Sequence, residues 1–529
     1  MNKFCAMFDV SRNGVMLPEK VKEYIGILKN FGYNGIMLYM EDTYEIPEEP
    51  YFGYMRGRYT KSEIKEIDEY ALSRGVELIP CIQTLAHLDT VFDWREYGEI
   101  HDVRDILLVG EKRTYELIGH MFDAISECFS SRTVFVGMDE APMLGRGKYL
   151  DKNGYTDGLT ILSYHVEKVC EIARDHGFNP VMWSDMLLKS LQAGKSSDCA
   201  KAVERIKKSG IGQAYWDYSH SDTEYYVKNI EIHDSAANDF WFAGGAWTWG
   251  GFAPDTSYSM ANTKAAMSAC REKHIKNVVI TVWGDNGKEC SFFAALPMLF
   301  YAKEIYDGNC NESDIKNKFH EITGEDFDDF VALELPQTVN GRKDRPYNPA
   351  KYMLYNDCFL GVFDSTVAGG ESEYYKKASE YLDGAAARSN KYAYIFKCEK
   401  LLCDCLEYKY ELGIRTRTVY WNNDKEQISA LITEYGILVG RLERFLSAFR
   451  KMWLMENKPY GIEVHEQRLG GLICRIKNCK NRLSDYVKGR VKKIPELEEK
   501  VLNYEGQGAA AGKPVEFNWW EKNVTPNVM

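Results

Sequence analysis

Eight short apolar runs, each followed by a helix-length amphipathic stretch, predict an α/β fold: a (β/α)8 TIM barrel followed by an α-helical C-terminal domain. Three observations carry this expectation. Strand and helix signals alternate without a break to about residue 305, polar or aromatic residues follow nearly every strand run, and strand signals stop beyond about residue 310. A doubly wound open sheet is the competing reading. It is disfavoured because such a sheet gathers its polar residues at one switch point.

The strand runs are Phe4–Asp9, Gly35–Met40, Val76–Ile82, Thr133–Gly137, Pro180–Trp183, Gly212–Trp216, Phe240–Gly244 and Val278–Trp283. They are rich in β-branched and aromatic residues and short enough to be buried parallel strands. Between and after them lie Pro18–Phe31, Lys61–Ser73, Arg113–Phe129, Leu159–His176, Asp198–Ser209, Asp222–Asp234, Met260–Lys273 and Phe292–Tyr306. Thr60 ahead of Glu63 and Asp198 ahead of Glu204 are helix-start signals, and Gly32, Gly75 and Gly177 stand where helices should stop.

Past residue 310 the pattern becomes helical only. Asp424-x-x-Gln427 resembles a capping box, and Ile428, Leu431, Ile432, Tyr435, Leu438, Leu442 and Phe445 follow at helical spacing, a stripe that reads as bundle core. Tyr392–Tyr410 and Gln467–Val487 are also amphipathic. Leu335–Gly361 reads as a long loop carrying Arg342, Arg345, Asn348 and Asp357, able to reach back to the barrel mouth. The expected domains are thus a barrel over 1–310, a helical domain over 311–505, and a Gly/Ala linker with an aromatic tail over 506–529. That tail, Phe517-Asn518-Trp519-Trp520, offers rings to a neighbour and would admit a homo-oligomer.

Composition excludes several classes. With 529 residues, 45% hydrophobic and 27% charged, the chain is long enough for a large core. A net charge of −12 argues against a nucleic-acid partner. No apolar run approaches membrane-span length, and MNKFCAMFDVSRNG turns polar too soon for a signal peptide, so a cytoplasmic protein without a membrane partner is expected. Fourteen cysteines without CxxC pairs read as reduced, mostly buried thiols; ten histidines show no HxxxH or HExxH pattern, so neither a metal nor a cofactor is implied.

The strand ends gather chemistry. In order they supply Asp9 and Arg12, Glu41 and Asp42, Gln83 and His87, Asp139 and Glu140, Trp183 and Asp185, Tyr215 and Asp217, Trp247, then Trp283 and Asp285. Any one has a bland explanation; their recurrence after eight strands places them at one barrel mouth. Aromatic faces stack on a pyranose while carboxylates and arginine hold its hydroxyls. The adjacent acids Asp139 and Glu140 stand out, since one carboxyl can donate a proton while its neighbour stays ionised.

These residues resemble the glycoside hydrolase family 20 β-N-acetylhexosaminidases, particularly bacterial members with a bare catalytic barrel and a helical C-terminal domain. Phe8-Asp9-Val10-Ser11-Arg12 looks like the family's first-strand segment, and Tyr59-Thr60-x-x-Glu63-Ile64 with Ala71 through Val76 looks like its second helix and third-strand entry. Phe135-Val136-Gly137-Met138-Asp139-Glu140 matches the His-x-Gly-Gly-Asp-Glu signature, with Phe135 and Met138 in place of its His and second Gly. Trp183-Ser184-Asp185, Tyr215-Trp216-Asp217 and Trp283-Gly284-Asp285 match later positions, Asp285 standing where the family usually has Glu. Gln83 and His87 lie in a segment that normally carries two acids.

The resemblance implies hydrolysis of terminal β-linked N-acetylhexosamine from glycans, with Glu140 as general acid and base, Asp139 orienting the 2-acetamido group and Tyr215 bonding its oxygen. Arg12, Asp217 and Asp285 would hold the sugar hydroxyls, a flexible Arg12 with the short Asp285 tolerating both C4 epimers. Trp183, Trp247 and Trp283 would wall the pocket, and an Asp42–His87 relay would hold Glu140. The rivals are a conventional retaining glycosidase using Asp217 or Asp285 as nucleophile, and a non-catalytic sugar-binding barrel.

Overall fold

The parallel strands close into a barrel in a computed structural model that describes residues 2–187, 197–341 and 343–529. In chain order they are β1 (Lys3–Asp9), β2 (Gly35–Met40), β3 (Glu77–Ile82), β4 (Thr133–Phe135), β5 (Asn179–Trp183), β6 (Gly212–Trp216), β7 (Phe240–Gly245) and β8 (Asn277–Val282). Each strand pairs with its sequence neighbours, and β8 closes on β1 from Lys3↔Asn277 to Phe8↔Val282. The strands read as continuous apolar runs because the helices cover one face and the barrel interior the other: every residue from Phe4 to Asp9 and from Gly35 to Met40 is buried. The open-sheet alternative is therefore excluded by closure.

Helix boundaries follow local chemistry. Thr60 accepts from the Glu63 backbone N–H and Glu63 returns to the Thr60 N–H, a complete capping box on Lys61–Ser73. Asp424 accepts from the Gln427 N–H, but the Gln427 side chain reaches the Asp424 carboxyl rather than its backbone, so only half the predicted box forms. The Asp198 cap signal concerns a side chain outside the described residues. Between β3 and β4 the chain adds a short hairpin, His101–Val103 with Ile106–Leu107, too short to leave a sequence signal.

The chain packs into two compact units that interleave along the sequence. One holds Met1–Ala246, Met260–Val282 and Leu299–Ile315; the other holds Trp247–Ser259, Trp283–Met298 and Lys316–Met529. The second unit contains helices Glu371–Arg388, Ala393–Lys409, Leu412–Trp421, Lys425–Glu456 and Ile462–Val487, and no strand occurs after Val282 among the described residues. The predicted stripe Ile428, Leu431, Tyr435, Leu438, Leu442 and Phe445 is buried, with Ile432 half-buried at its edge.

Two expectations change here. The segment predicted as a long loop contains a fully buried helix, Pro349–Tyr355, opened by Pro349 at its first position, where a missing N–H costs nothing. Asn348 donates to the carbonyls of Gly250 (2.8 Å) and Phe517 (2.9 Å), and Asp357 is taken by Arg475, while Arg342 lies outside the described residues. The aromatic tail also docks inward: Phe517 packs on Phe363 and Tyr504, and Trp520 meets Tyr355 edge-on. Two rings of the tail therefore pack within their own unit, while Trp519 between them stays 57% exposed. Among the described residues no helix is long and apolar enough to cross a membrane.

Candidate active site

The acid pair sits on a distorted backbone. β4 ends at Phe135, two residues earlier than predicted, because the following residues leave the ladder: Gly137 (φ 72°), Met138 (φ 72°) and Glu140 (φ 49°) are all left-handed. For a residue with a Cβ that conformation costs about 1–2 kcal/mol, so surrounding packing must hold it. The reason is visible at Gly137, where a Cβ would lie 1.8 Å from Gln83 Oε1. Without a side chain there, the Gln83 amide reaches through to donate to Asp139 Oδ1 (3.0 Å) and to the Tyr39 hydroxyl (2.9 Å).

The two carboxyls occupy different environments. Asp139 is buried, with His87 Nε2 3.3 Å from its Oδ2. Burial pushes Asp139 toward neutrality, but His87 and Gln83 outweigh it and hold the carboxyl below its ordinary 3.8. Burial likewise opposes charge on His87, and the Asp139 carboxylate overrides it, raising the imidazole above its ordinary value. The result is a buried ion pair at neutral pH. Glu140 is its opposite: its side chain is 55% exposed, its Oε2 lies 3.8 Å from His87 Nε2, and its backbone N–H donates to Asp185 Oδ2 (3.1 Å).

Arg12 is clamped rather than flexible. Its guanidinium pairs with Asp9 (2.9 Å) and Glu41 (3.2 Å) and lies over the Tyr39 ring. Despite burial, Arg12 and the Ser11 hydrogen bonds hold Asp9 below its ordinary value. The expected Asp42–His87 relay is not the pairing found. Asp42 accepts from Arg56 Nε (3.3 Å) and Thr90 Oγ1 (2.8 Å), while His87 faces Asp139 and Glu140. Arg56 also reaches Asn13 Oδ1 and the Ser11 carbonyl, tying the loops after β1 and β2 together.

Burial pushes Glu41 up to about 7, against the pull of Arg12. A carboxyl raised in the folded state binds its proton more tightly folded than unfolded. Its contribution is fully present below its ordinary 4.5 and is lost as pH rises through about 7, roughly 3 kcal/mol in all. Glu41→Gln builds in the neutral form. Urea unfolding should therefore show stability falling less over this window in Glu41→Gln than in the wild type; identical slopes would show that Glu41 does not titrate there.

The second half of the barrel supplies Trp183, Tyr215 and Asp217. Trp183 is 1% exposed and packs on Phe135. The Tyr215 hydroxyl donates to Asp217 Oδ2 (3.0 Å); burial and that carboxylate keep the phenol protonated. Asp217 also accepts from Tyr226 (3.2 Å) and the Ser219 N–H (3.0 Å), with His220 Nδ1 2.9 Å away. His233, unforeseen from sequence, stacks on Tyr215 at 4.3 Å and 16°, and its Nδ1 lies 2.9 Å from Ser184 Oγ. Burial lowers its pKa to about 4, so the stacked ring is neutral.

Trp247, Trp283 and Asp285 follow β7 and β8 in the chain and belong to the second unit. Trp247 stacks on Trp249 (4.2 Å), the Trp283 carbonyl accepts from Thr248 Oγ1 (3.1 Å), and Asp285 opens a turn in which Asn286, Gly287 and Lys288 all have positive φ. Tyr39 was missed although it lies in β2 two residues before Glu41, to which its hydroxyl donates (3.1 Å). Arg56 lies on a loop, Thr90 on the one-turn helix Asp89–Phe92 and His233 on the helix Thr223–Ala236, with no pattern to mark them. Among the described residues no group of His, Cys, Asp or Glu is arranged to hold a metal ion.

A model of the glycosyl hydrolase family 20 catalytic domain matches residues 6–285. The chain belongs to glycoside hydrolase family 20. A second model, the Glycoside Hydrolase 20C C-terminal domain, matches residues 328–515 of this family 20 hydrolase. Bovine (Bos taurus) Hexosaminidase D is 28% identical over 251 residues, covering 44% of this chain and 67% of that protein. Human (Homo sapiens) Hexosaminidase D is 29% identical over 221 residues, covering 38% of this chain and 43% of that one. The GH20 exo-β-N-acetylglucosaminidase of Vibrio harveyi, solved with N-acetylglucosamine, aligns with a TM-score of 0.46 at 15% identity over 61% of this chain and 58% of its own.

Proposed function

We propose that this family 20 hydrolase is an exo-β-N-acetylhexosaminidase that removes terminal, non-reducing β-linked GlcNAc or GalNAc from glycans with retention, through a substrate-assisted oxazolinium mechanism. The observation that carries the reading is the split acid pair: Asp139 enclosed and ionised by Gln83 and His87, Glu140 open beside it. Glu140 protonates the glycosidic oxygen as the 2-acetamido oxygen attacks the anomeric carbon, and the aglycone leaves as an alcohol. Asp139 accepts from the acetamido N–H and offsets the positive charge spreading over the oxazolinium ring. Tyr215, protonated and pinned by His233, turns its hydroxyl from Asp217 to the acetamido oxygen. Water then attacks the anomeric carbon, returning a proton to Glu140 and restoring the acetamide.

Arg12 and Asp217 are assigned to the sugar hydroxyls and Trp183 to a wall of the pocket. Arg12 is clamped by Asp9 and Glu41, so tolerance of both C4 epimers does not draw on a flexible guanidinium. The conventional retaining scheme is disfavoured because Asp217 already receives hydrogen bonds from Tyr215, Tyr226 and Ser219, which blunt a nucleophile. A binding-only barrel would not require an ionised Asp139 beside an open Glu140. A cytoplasmic setting fits the thirteen described cysteines, all free and eleven of them buried.

Chromogenic β-GlcNAc, β-GalNAc and β-glucose substrates provide the direct test. The two N-acetylhexosaminides should both turn over, with kcat/KM within about a hundredfold of each other, and the glucoside should be nearly inert. Preferred hydrolysis of the glucoside would refute the reading.

A further inference from the structure

Two loops meet on Asp42, and both carry aromatic rings outward from it. In the loop after β2, Gly53 passes so close over Asp42 that a Cβ there would lie 1.8 Å from the Asp42 carbonyl oxygen. From the loop after β3, Thr90 donates to the Asp42 carboxyl (2.8 Å). Beyond these anchors the first loop presents Tyr51 and Tyr54 and the second presents Trp94. The Trp94 ring centroid lies 5.6 Å from Tyr51 and 5.3 Å from Tyr54, and the two tyrosines are 6.4 Å apart. Tyr51 is 44% and Tyr54 42% exposed, while Trp94 is half-buried between them and the loop. Packing does not require a cluster of large rings to stay in water; such a patch marks a surface that something covers.

Its place in the site indicates what covers it. The segment that carries Thr90 and Trp94 begins with His87, whose Nε2 lies 3.3 Å from Asp139 and 3.8 Å from Glu140. One continuous stretch therefore runs from the acid pair, through the Asp42 anchor, to the aromatic cluster. Glu140, its side chain 55% exposed, is the acid of the pair that a departing group can reach from solvent. A pyranose ring presents apolar C–H faces for stacking and hydroxyls at its edge, and the two tyrosine hydroxyls suit that edge. We propose that Tyr51, Tyr54 and Trp94 form a platform that stacks on the sugar at the leaving-group side of the scissile bond. The enzyme then selects β-N-acetylhexosamine linked to a further pyranose. This rests on the reading of Glu140 as the general acid.

The test compares a disaccharide ending in β-linked N-acetylhexosamine with the corresponding N-acetylhexosaminyl fluoride, whose one-atom leaving group cannot reach the platform. In Trp94→Ala, and separately in Tyr54→Ala, KM for the disaccharide should rise about tenfold, while both fluoride parameters stay within about twofold of wild type. Trp94→Phe, which keeps a flat ring, should restore most of the loss. Equal losses on both substrates would show a damaged loop, and no change on either an inert surface; both results overturn the platform. So does a shift from dimer to monomer in sedimentation with the disaccharide KM unchanged, which would make the patch a contact between two copies. A wild-type enzyme inactive on fluoride and disaccharide alike would instead overturn the β-N-acetylhexosaminidase reading beneath it.

Discussion

Glu140→Gln is expected to lower kcat/KM for a natural disaccharide by about 10³–10⁴-fold, and far less for a substrate whose leaving group departs without a proton. Asp139→Asn should lower both by a similar factor, on the order of 10³. The difference follows from which substrates need each group and from the surroundings. In the proposed mechanism the acetamido group closes its ring as any leaving group departs, whether or not that group needs a proton, so losing the Asp139 charge penalises every substrate. The asparagine would also meet Gln83 Nε2, a donor, and leave the buried His87 without its carboxylate. Steady-state kinetics with a disaccharide and a dinitrophenyl glycoside separates the two variants. Equal, mild losses in both variants on both substrates would sink the assignment.

Replacing the substrate's 2-acetamido group with hydroxyl should lower kcat/KM on the order of 10⁵-fold, because the built-in nucleophile and its high effective concentration vanish together. A thiazoline that mimics the bicyclic intermediate should bind more tightly than product by at least about 10²-fold. Both follow from the proposed role of Asp139 as charge stabiliser, beside a protonated phenol at Tyr215 and an Asp217 engaged by three hydrogen-bond donors. Covalent labelling of Asp217 or Asp285 by a 2-fluoro glucoside, detected by mass spectrometry, would establish the carboxylate-nucleophile scheme instead.

The barrel was legible because parallel strands hidden on both faces leave unbroken apolar runs; Gly35–Met40 and Gly212–Trp216 read from sequence with the ends they have in the fold. β4 was overextended because its early end answers to Gln83, a residue 54 positions before Gly137 whose approach no local pattern encodes. Helix Pro349–Tyr355 was missed because its seven residues are all buried and so lack the alternation that marks an amphipathic helix. In the site, residue types at strand ends were readable but partners were not. His87 stood out in the sequence, yet which of several nearby carboxylates it faces depends on loop paths, and Arg56 and Thr90 occupy the Asp42 carboxyl expected to meet it. His233 acts through a stack on Tyr215, a relation between a helix and a strand end that sequence spacing cannot express.

Met138 sets backbone and side chain against each other at the turn beside the acid pair. It holds a left-handed conformation that glycine adopts freely, while its side chain is fully buried. Met138→Gly would relieve about 1–2 kcal/mol of backbone strain but would empty a packed site worth about 2–5 kcal/mol. The residue that strains this turn is therefore also the one that locks it, and glycine, the easier residue for the backbone, would be the less stable choice immediately before Asp139.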